Sequence, residues 1–202
     1  MMRQEMTEAP PDVDRDRDPD RERYPDRAER FDLATYLQKS IQVLQLDSAT
    51  IDAVSRDEEA LVPALLFFAV AGLSNGAGQF SFRGMIFGPI VATLLSFVIV
   101  GLLSVLSRLF GGRAEFLDLY RPLGVAAPIF WVQAVPLLGP FLVFLALVYY
   151  AVVAIAVVER SGGLPRTKAF AIVALLVGIS MFLVLVFLAV VGTLLLFRAL
   201  FS

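Results

Sequence analysis

Residues 169–197 read AFAIVALLVGISMFLVLVFLAVVGTLLLF, with no charged side chain among them. As a helix this run of about 29 residues is roughly 43 Å long, whereas ~20 residues suffice to cross a bilayer core. The same pattern recurs upstream. Between Leu61 and Phe201 the charged residues are Arg83, Arg108, Arg113, Glu115, Asp118, Arg121, Glu159, Arg160, Arg166, Lys168 and Arg198, each at or between the edges of apolar blocks. A charge at the bilayer centre costs about 3 kcal/mol or more, so a chain that confines its charges to the gaps is written for lipid. The fold class that follows is all-α, a polytopic membrane protein.

The apolar blocks predict five membrane helices: Ala60–Phe80, Met85–Leu109, Leu123–Leu138, Phe141–Val158 and Ala169–Phe197. In the first, Ser74, Asn75, Gly76, Gly78 and Gln79 are expected to end or kink the helix. The third is short, about 16 residues or roughly 24 Å. An even count competes with five, because Leu123–Val158 is split only by Pro136-Leu137-Leu138-Gly139-Pro140. One helix across that stretch would reach roughly 54 Å, and two prolines flanking a glycine predict a hairpin instead. With the N-terminus inside, the inner segments hold fifteen Arg and Lys residues and the outer ones only Arg83 and Arg198. The positive-inside rule therefore predicts a cytoplasmic N-terminus and an extracytoplasmic C-terminus.

Three regions are expected: a tail over 1–30, a cytoplasmic helical segment over 31–59 and a membrane domain over 60–202. The tail holds ten acids and seven bases, with prolines at 10, 11, 19 and 25. Mixed charge with few apolar residues predicts disorder, whether as a plain solvated tail or as a partner-docking one. It contains no apolar signal-peptide core, so the first membrane helix is expected to direct insertion. From Phe31 to Leu46, Leu33, Leu37, Ile41 and Leu44 recur at helical spacing and predict an amphipathic helix. Asp47 or Ser48 would cap a second short helix through Val54, and Ser55 with Glu58 has the spacing of a capping box. This segment reads equally as a partner-binding face and as an interfacial layer among the lipid headgroups.

The chain contains no Cys and no His. Disulfides, thiolate metal sites, cysteine nucleophiles and the commonest general base are thereby excluded. Its membrane-embedded polar residues are Ser74, Asn75, Gln79, Thr93, Ser96, Ser104, Gln133, Ser180 and Thr193, without a carboxylate. Hydroxyls in membrane helices ordinarily bond to backbone, and Gln133 beside Trp131 is expected to bond between helices. Glu58-Glu59 diverge by about 100° on a helix, which argues against a shared metal. The expectation is a non-enzymatic protein with no catalytic residue, cofactor or metal and no nucleic-acid partner. Small residues four apart, Ala92 with Ser96, Gly124 with Pro128 and Ala174 with Gly178, predict close helix contacts, within one chain or in a homo-oligomer.

Between the second and third helices stands Leu109-Phe110-Gly111-Gly112-Arg113, followed by Ala114–Arg121 and Pro122-Leu123-Gly124-Val125-Ala126-Ala127-Pro128. Gly111 and Gly112 predict a left-handed helix end. Ala114–Arg121 predicts a short interfacial helix carrying Phe116 and Tyr120, with Asp118 and Arg121 spaced to pair. Pro122 is expected to open the next helix. The order Phe110-Gly111-Gly112, Arg121, Gly124 to Pro128 and Val135-Pro136-Leu137-Leu138-Gly139 resembles the Yip1 domain family over about residues 31–192. The stretch Leu164–Ala174 resembles that family's entry to its last helix, and Leu46–Thr50 and Asp57–Ala60 resemble its bacterial form. The resemblance implies five membrane helices and a cytoplasmic N-terminus. Eukaryotic members associate with Rab-type GTPases, but the short, charged N-terminal region here departs from their pattern, and that activity is not carried over.

The expected role is a scaffold or adaptor at the cytoplasmic membrane face, in contact with the lipid bilayer and with a membrane or cytoplasmic protein. Candidate partner-binding residues are Leu37, Ile41, Leu44, Phe116, Tyr120 and Arg121. Gly111, Gly112, Gly124, Pro128, Pro136 and Gly139 are the candidate packing and family-motif residues. A small transporter or an accessory subunit of a larger membrane complex is the alternative, motivated by the interruptions at Asn75–Gly78 and Pro136–Pro140.

Overall fold

The computed structural model describes residues 32–201, and these form helices joined by short turns. The expected disordered tail over 1–30 lies outside the described residues. Helix α1 runs Leu33–Leu44, α2 Ser48–Arg56, α3 Leu61–Gly78, α4 Phe82–Leu109, α5 Phe116–Val125, α6 Gly139–Gly162 and α7 Arg166–Phe201. Two 3-10 segments, Glu58–Ala60 and Ala127–Ala134, precede α3 and follow α5. Four helices, α3, α4, α6 and α7, are long and apolar enough to cross a membrane. The chain is thus an integral, multi-pass membrane protein.

The expected third membrane helix, Leu123–Leu138, is not one helix. Its first residues end α5, and the chain continues as the 3-10 segment Ala127–Ala134. Pro128 opens that segment within its first turn. Pro122, expected to open a helix, lies inside α5. The 3-10 segment lies alongside α3: Trp131 Nε1 donates to the Phe67 carbonyl at 3.3 Å, and the Trp131 ring meets Phe67 edge-on. At its far end the Gln133 carbonyl sits where a Cβ on Gly78 would approach to 1.9 Å.

Helix α3 does not break at its polar residues but runs unbroken to Gly78. The glycines that argued for interruption serve as contact points. A Cβ on Gly72 would lie 2.2 Å from the Gly88 carbonyl oxygen, and one on Gly76 would lie 2.3 Å from the Gly84 carbonyl carbon. Two glycine pairs four residues apart therefore face each other across the antiparallel α3–α4 hairpin, bringing the backbones together as small residues do in membranes. Ala92 continues the contact against Gly72, whereas a Cβ on Gly178 would meet nothing within 4 Å, so no contact within the chain forms there among the described residues.

Four helices end in the same motif. After α4, the Gly112 amide bonds the Ser107 carbonyl at 2.8 Å and the Gly111 amide bonds Arg108 at 3.0 Å. This is the Schellman pattern, and Gly111 takes the left-handed φ of 89° that it demands. Helix α6 ends likewise at Gly163, φ 61°. Helices α1 and α3 repeat it with Leu46 (φ 62°) and Phe80 (φ 50°) in the left-handed position, at roughly 1 kcal/mol or more each.

Candidate functional site

Apart from Arg83 and Arg198, the charged side chains of the membrane domain gather at one end of the bundle, for reasons visible in the backbone. The Arg113 amide bonds the Gly162 carbonyl at 3.1 Å, tying the α4–α5 turn to the end of α6. Lys168 Nζ reaches the Phe110 carbonyl at 3.2 Å, which adds the start of α7. Arg121 donates to the Ser55 carbonyl at 2.9 Å and so fastens α5 to α2.

Helices α1 and α2 rest on α5 and α6 at this end. Asp47 caps α2 by accepting from the Thr50 amide at 3.0 Å, and Ile51 and Val54 are fully buried. Ser55 belongs to α2, its hydroxyl bonding the Asp52 carbonyl, so the expected capping box with Glu58 is replaced by Asp57, which accepts from the Glu59 amide at 3.1 Å. Asp57 also pairs with Lys39 at 3.0 Å and accepts from the Tyr36 hydroxyl at 2.9 Å. Burial works to raise the Asp57 carboxyl, but the Lys39 and Tyr36 bonds and the Lys39 charge outweigh it and hold the group below the usual carboxylate range. Burial and the bond to Asp57 push the Tyr36 phenol upward, keeping it a donor.

Helix α1 packs inward by a face other than its aliphatic one. Tyr36, Ser40 and Val43 face inward. Leu33 and Ile41 are 42% and 57% exposed, and Leu37 and Leu44 are half-buried at the edge of the core. The helix is turned by about one residue, ~100°, from the face its aliphatics define. Tyr36 is drawn in by Asp57, and the small Ser40 permits close approach while its hydroxyl closes on the Tyr36 carbonyl at 2.9 Å.

Of the other partner-binding candidates, Tyr120 is 0% exposed and is corrected from surface to core. Its hydroxyl meets that of Ser96 at 2.9 Å, and its ring stacks on Phe97 and Phe116 with centroids 4.8 and 5.3 Å away. Phe116 is half-buried in that stack, and Arg121 is occupied by Ser55. Asp118 does not pair with Arg121; its carboxylate accepts from the Glu115 amide at 2.9 Å and opens α5. The Leu44 carbonyl accepts from the Tyr149 hydroxyl. Only Ile41 among the six is an open side chain.

The motif residues are architectural. A Cβ on Gly112 would meet Ser107 Oγ at 2.4 Å, and one on Gly124 would meet Ala64 Cβ at 2.3 Å. Pro136 lies in the turn into α6, and Gly139 begins that helix 3.1 Å, by its would-be Cβ, from the Gln133 carbonyl. A family model for the Yip1 domain matches residues 41–188.

The chain belongs to the Yip1 domain family.

Searches of curated proteins and of solved structures returned no match. The Yip1 match takes in the motif positions from Gly111 to Gly139, the α3–α4 glycine contact and most of α7. Among the described residues, no group of His, Cys, Asp or Glu is placed to hold a metal ion. The sequence reading took Gly76 as an interruption and did not single out Gly72, Gly84 or Gly88. Their spacing, two pairs of glycines four apart on either side of a turn, was the signal that could have found them.

Proposed function

We propose that this Yip1-type protein is a non-enzymatic scaffold that crosses the membrane five times, with a cytoplasmic N-terminus and an extracytoplasmic C-terminus. The fifth crossing is α5 followed by the 3-10 segment, together roughly 31 Å at their respective rises, about a bilayer core. This segment leaves from the Arg113 end and arrives beside Gly78, which supports an odd number of crossings. The excess of Arg and Lys at the Arg113 end supports a cytoplasmic placement of that end.

The observation that carries the scaffold reading is the way α1 and α2 are held. Their inner faces are locked by Val43, Ile51, Val54, the Tyr36–Asp57–Lys39 cluster and the Arg121–Ser55 bond, while Leu33 and Ile41 stand outside. A rigid helix with isolated apolar side chains facing outward is suited to recruiting a protein through a helix face. Removing residues 31–55 would damage the fold itself, so the test is Leu33→Arg with Ile41→Arg in the full chain. Proximity labelling from the N-terminus should lose a specific set of neighbours while the protein remains in the membrane. An unchanged set would sink the scaffold reading.

A second reading, transport, is favoured by a cavity of about 560 Å³ between α3, α4, α6 and α7, with Asn75, Ser96, Gln133 and Ser180 among aliphatic walls. Gln133→Leu abolishing a specific solute flux would favour it over the scaffold.

A further inference from the structure

A second cavity, of about 580 Å³, opens at the charged end between α2, α6 and α7. Its walls are apolar, Ile51, Val152 and Phe170 among them, and its rim carries Glu159, Arg160 and Arg166. Its size falls within the range of ligand pockets. Both arginines are exposed, and neither guanidinium forms a hydrogen bond or ion pair among the described residues. Thr167 adds a hydroxyl beside them. The polar and apolar parts are arranged as the parts of a phospholipid are: charge where a headgroup sits, and aliphatic side chains leading along α6 and α7 toward lipid-exposed Val148 and Val177.

We infer that this groove holds one anionic phospholipid of the cytoplasmic leaflet, its phosphate between Arg160 and Arg166 and an acyl chain along Val152 and Phe170. Charge complementarity selects the occupant. Two guanidiniums against one carboxylate leave the rim formally +1, which favours a headgroup bearing net negative charge over a zwitterionic one. Guanidinium is also the side chain whose fork matches phosphate oxygens. The groove is separate from the face of α1 assigned to protein recruitment, since its α1–α2 contribution is Leu46, Ser48 and Ile51.

The test is native mass spectrometry of the full chain in detergent micelles doped with palmitoyl-oleoyl phosphatidylglycerol, phosphatidylethanolamine or phosphatidylcholine. Phosphatidylglycerol should remain bound in preference to both others. At about five-fold per basic residue at a membrane surface, Arg160→Gln with Arg166→Gln should reduce that preference by ~30-fold. Glu159→Gln should change it in the opposite direction, and Arg56→Gln, outside the groove, should leave it unchanged. Glu159→Gln keeps the test decisive if the double variant does not fold. Equal retention of the three lipids, or a preference indifferent to Arg160, Arg166 and Glu159, would overturn the inference. Displacement of the lipid by inorganic phosphate alone would also overturn it, by making the site one for free anions. Retention that tracks dimer formation would replace the lipid with a second copy of the chain.

Discussion

The amide of Arg113 and the carbonyl of Gly162, 3.1 Å apart, join two Schellman turns at the same end of the bundle. That single bond places the ends of α4 and α6 on one side, while Leu137, in the turn before α6, belongs to the opposite end with Gly78 and Gln133.

Because the chain has no cysteine, this arrangement can be read with introduced ones. Arg113→Cys should react with an impermeant maleimide only from the cytoplasmic side, and Leu137→Cys, whose side chain is 98% exposed, only from the other. Labelling of both from one side would reduce the crossings to four and return α5 and the 3-10 segment to a single face of the membrane.

The facing glycines of α3 and α4 predict a graded response to bulk. Gly72→Leu and Gly76→Leu place side chains where backbone already stands, and each should cost about 1–3 kcal/mol or prevent the hairpin from closing. Gly178→Leu enters open space and should stay within about 0.5 kcal/mol of the parent. Thermal unfolding in detergent, followed by size exclusion, distinguishes the two classes; equal losses would mean that the α3–α4 contact is not tight.

Asp57 gives a pH dependence with a defined sign. Its carboxyl titrates below the usual range in the folded protein. The stability it contributes is therefore complete above the unfolded value, ~3.9, and is lost as the pH falls through the folded one. Asp57→Asn should unfold more easily than the parent at pH 7, by no more than about 1 kcal/mol for so accessible a pair. The gap should narrow below about pH 4. A gap that persists or widens in acid would show that the Lys39 and Tyr36 bonds do not depend on the ionised form.

Membrane class, helix order and the capping role of Asp47 were readable in the residues because lipid forbids charge and an N-cap acts within one turn. The continuity of α3 through Ser74, Asn75 and Gly76 was not, since the same glycines that weaken a helix alone strengthen a pair of helices in contact. Nor was the 3-10 segment, because hydropathy records that Ala127–Ala134 is apolar and is blind to rise per residue. The inward face of α1 was not legible for a related reason. Periodicity marks the Leu33 and Ile41 side as apolar but does not say which side packs against the bundle, and that direction is decided by Tyr36 finding Asp57, a partner 21 positions away. Tyr120 shows the same limit, since only a tertiary neighbour such as Ser96 turns an aromatic at an interface into a buried one.

The helices also differ in reach. Helix α3 spans 18 residues, whereas the charge-free run of α7, 169–197, spans 29, or roughly 27 Å against 43 Å. A bilayer cannot match both lengths at once, and mismatch costs fractions of a kcal/mol per Å. A bilayer matched to α3 is therefore too thin for an upright α7, and the difference is taken up by tilt of α7, by its projection beyond the core or by thicker lipid around it.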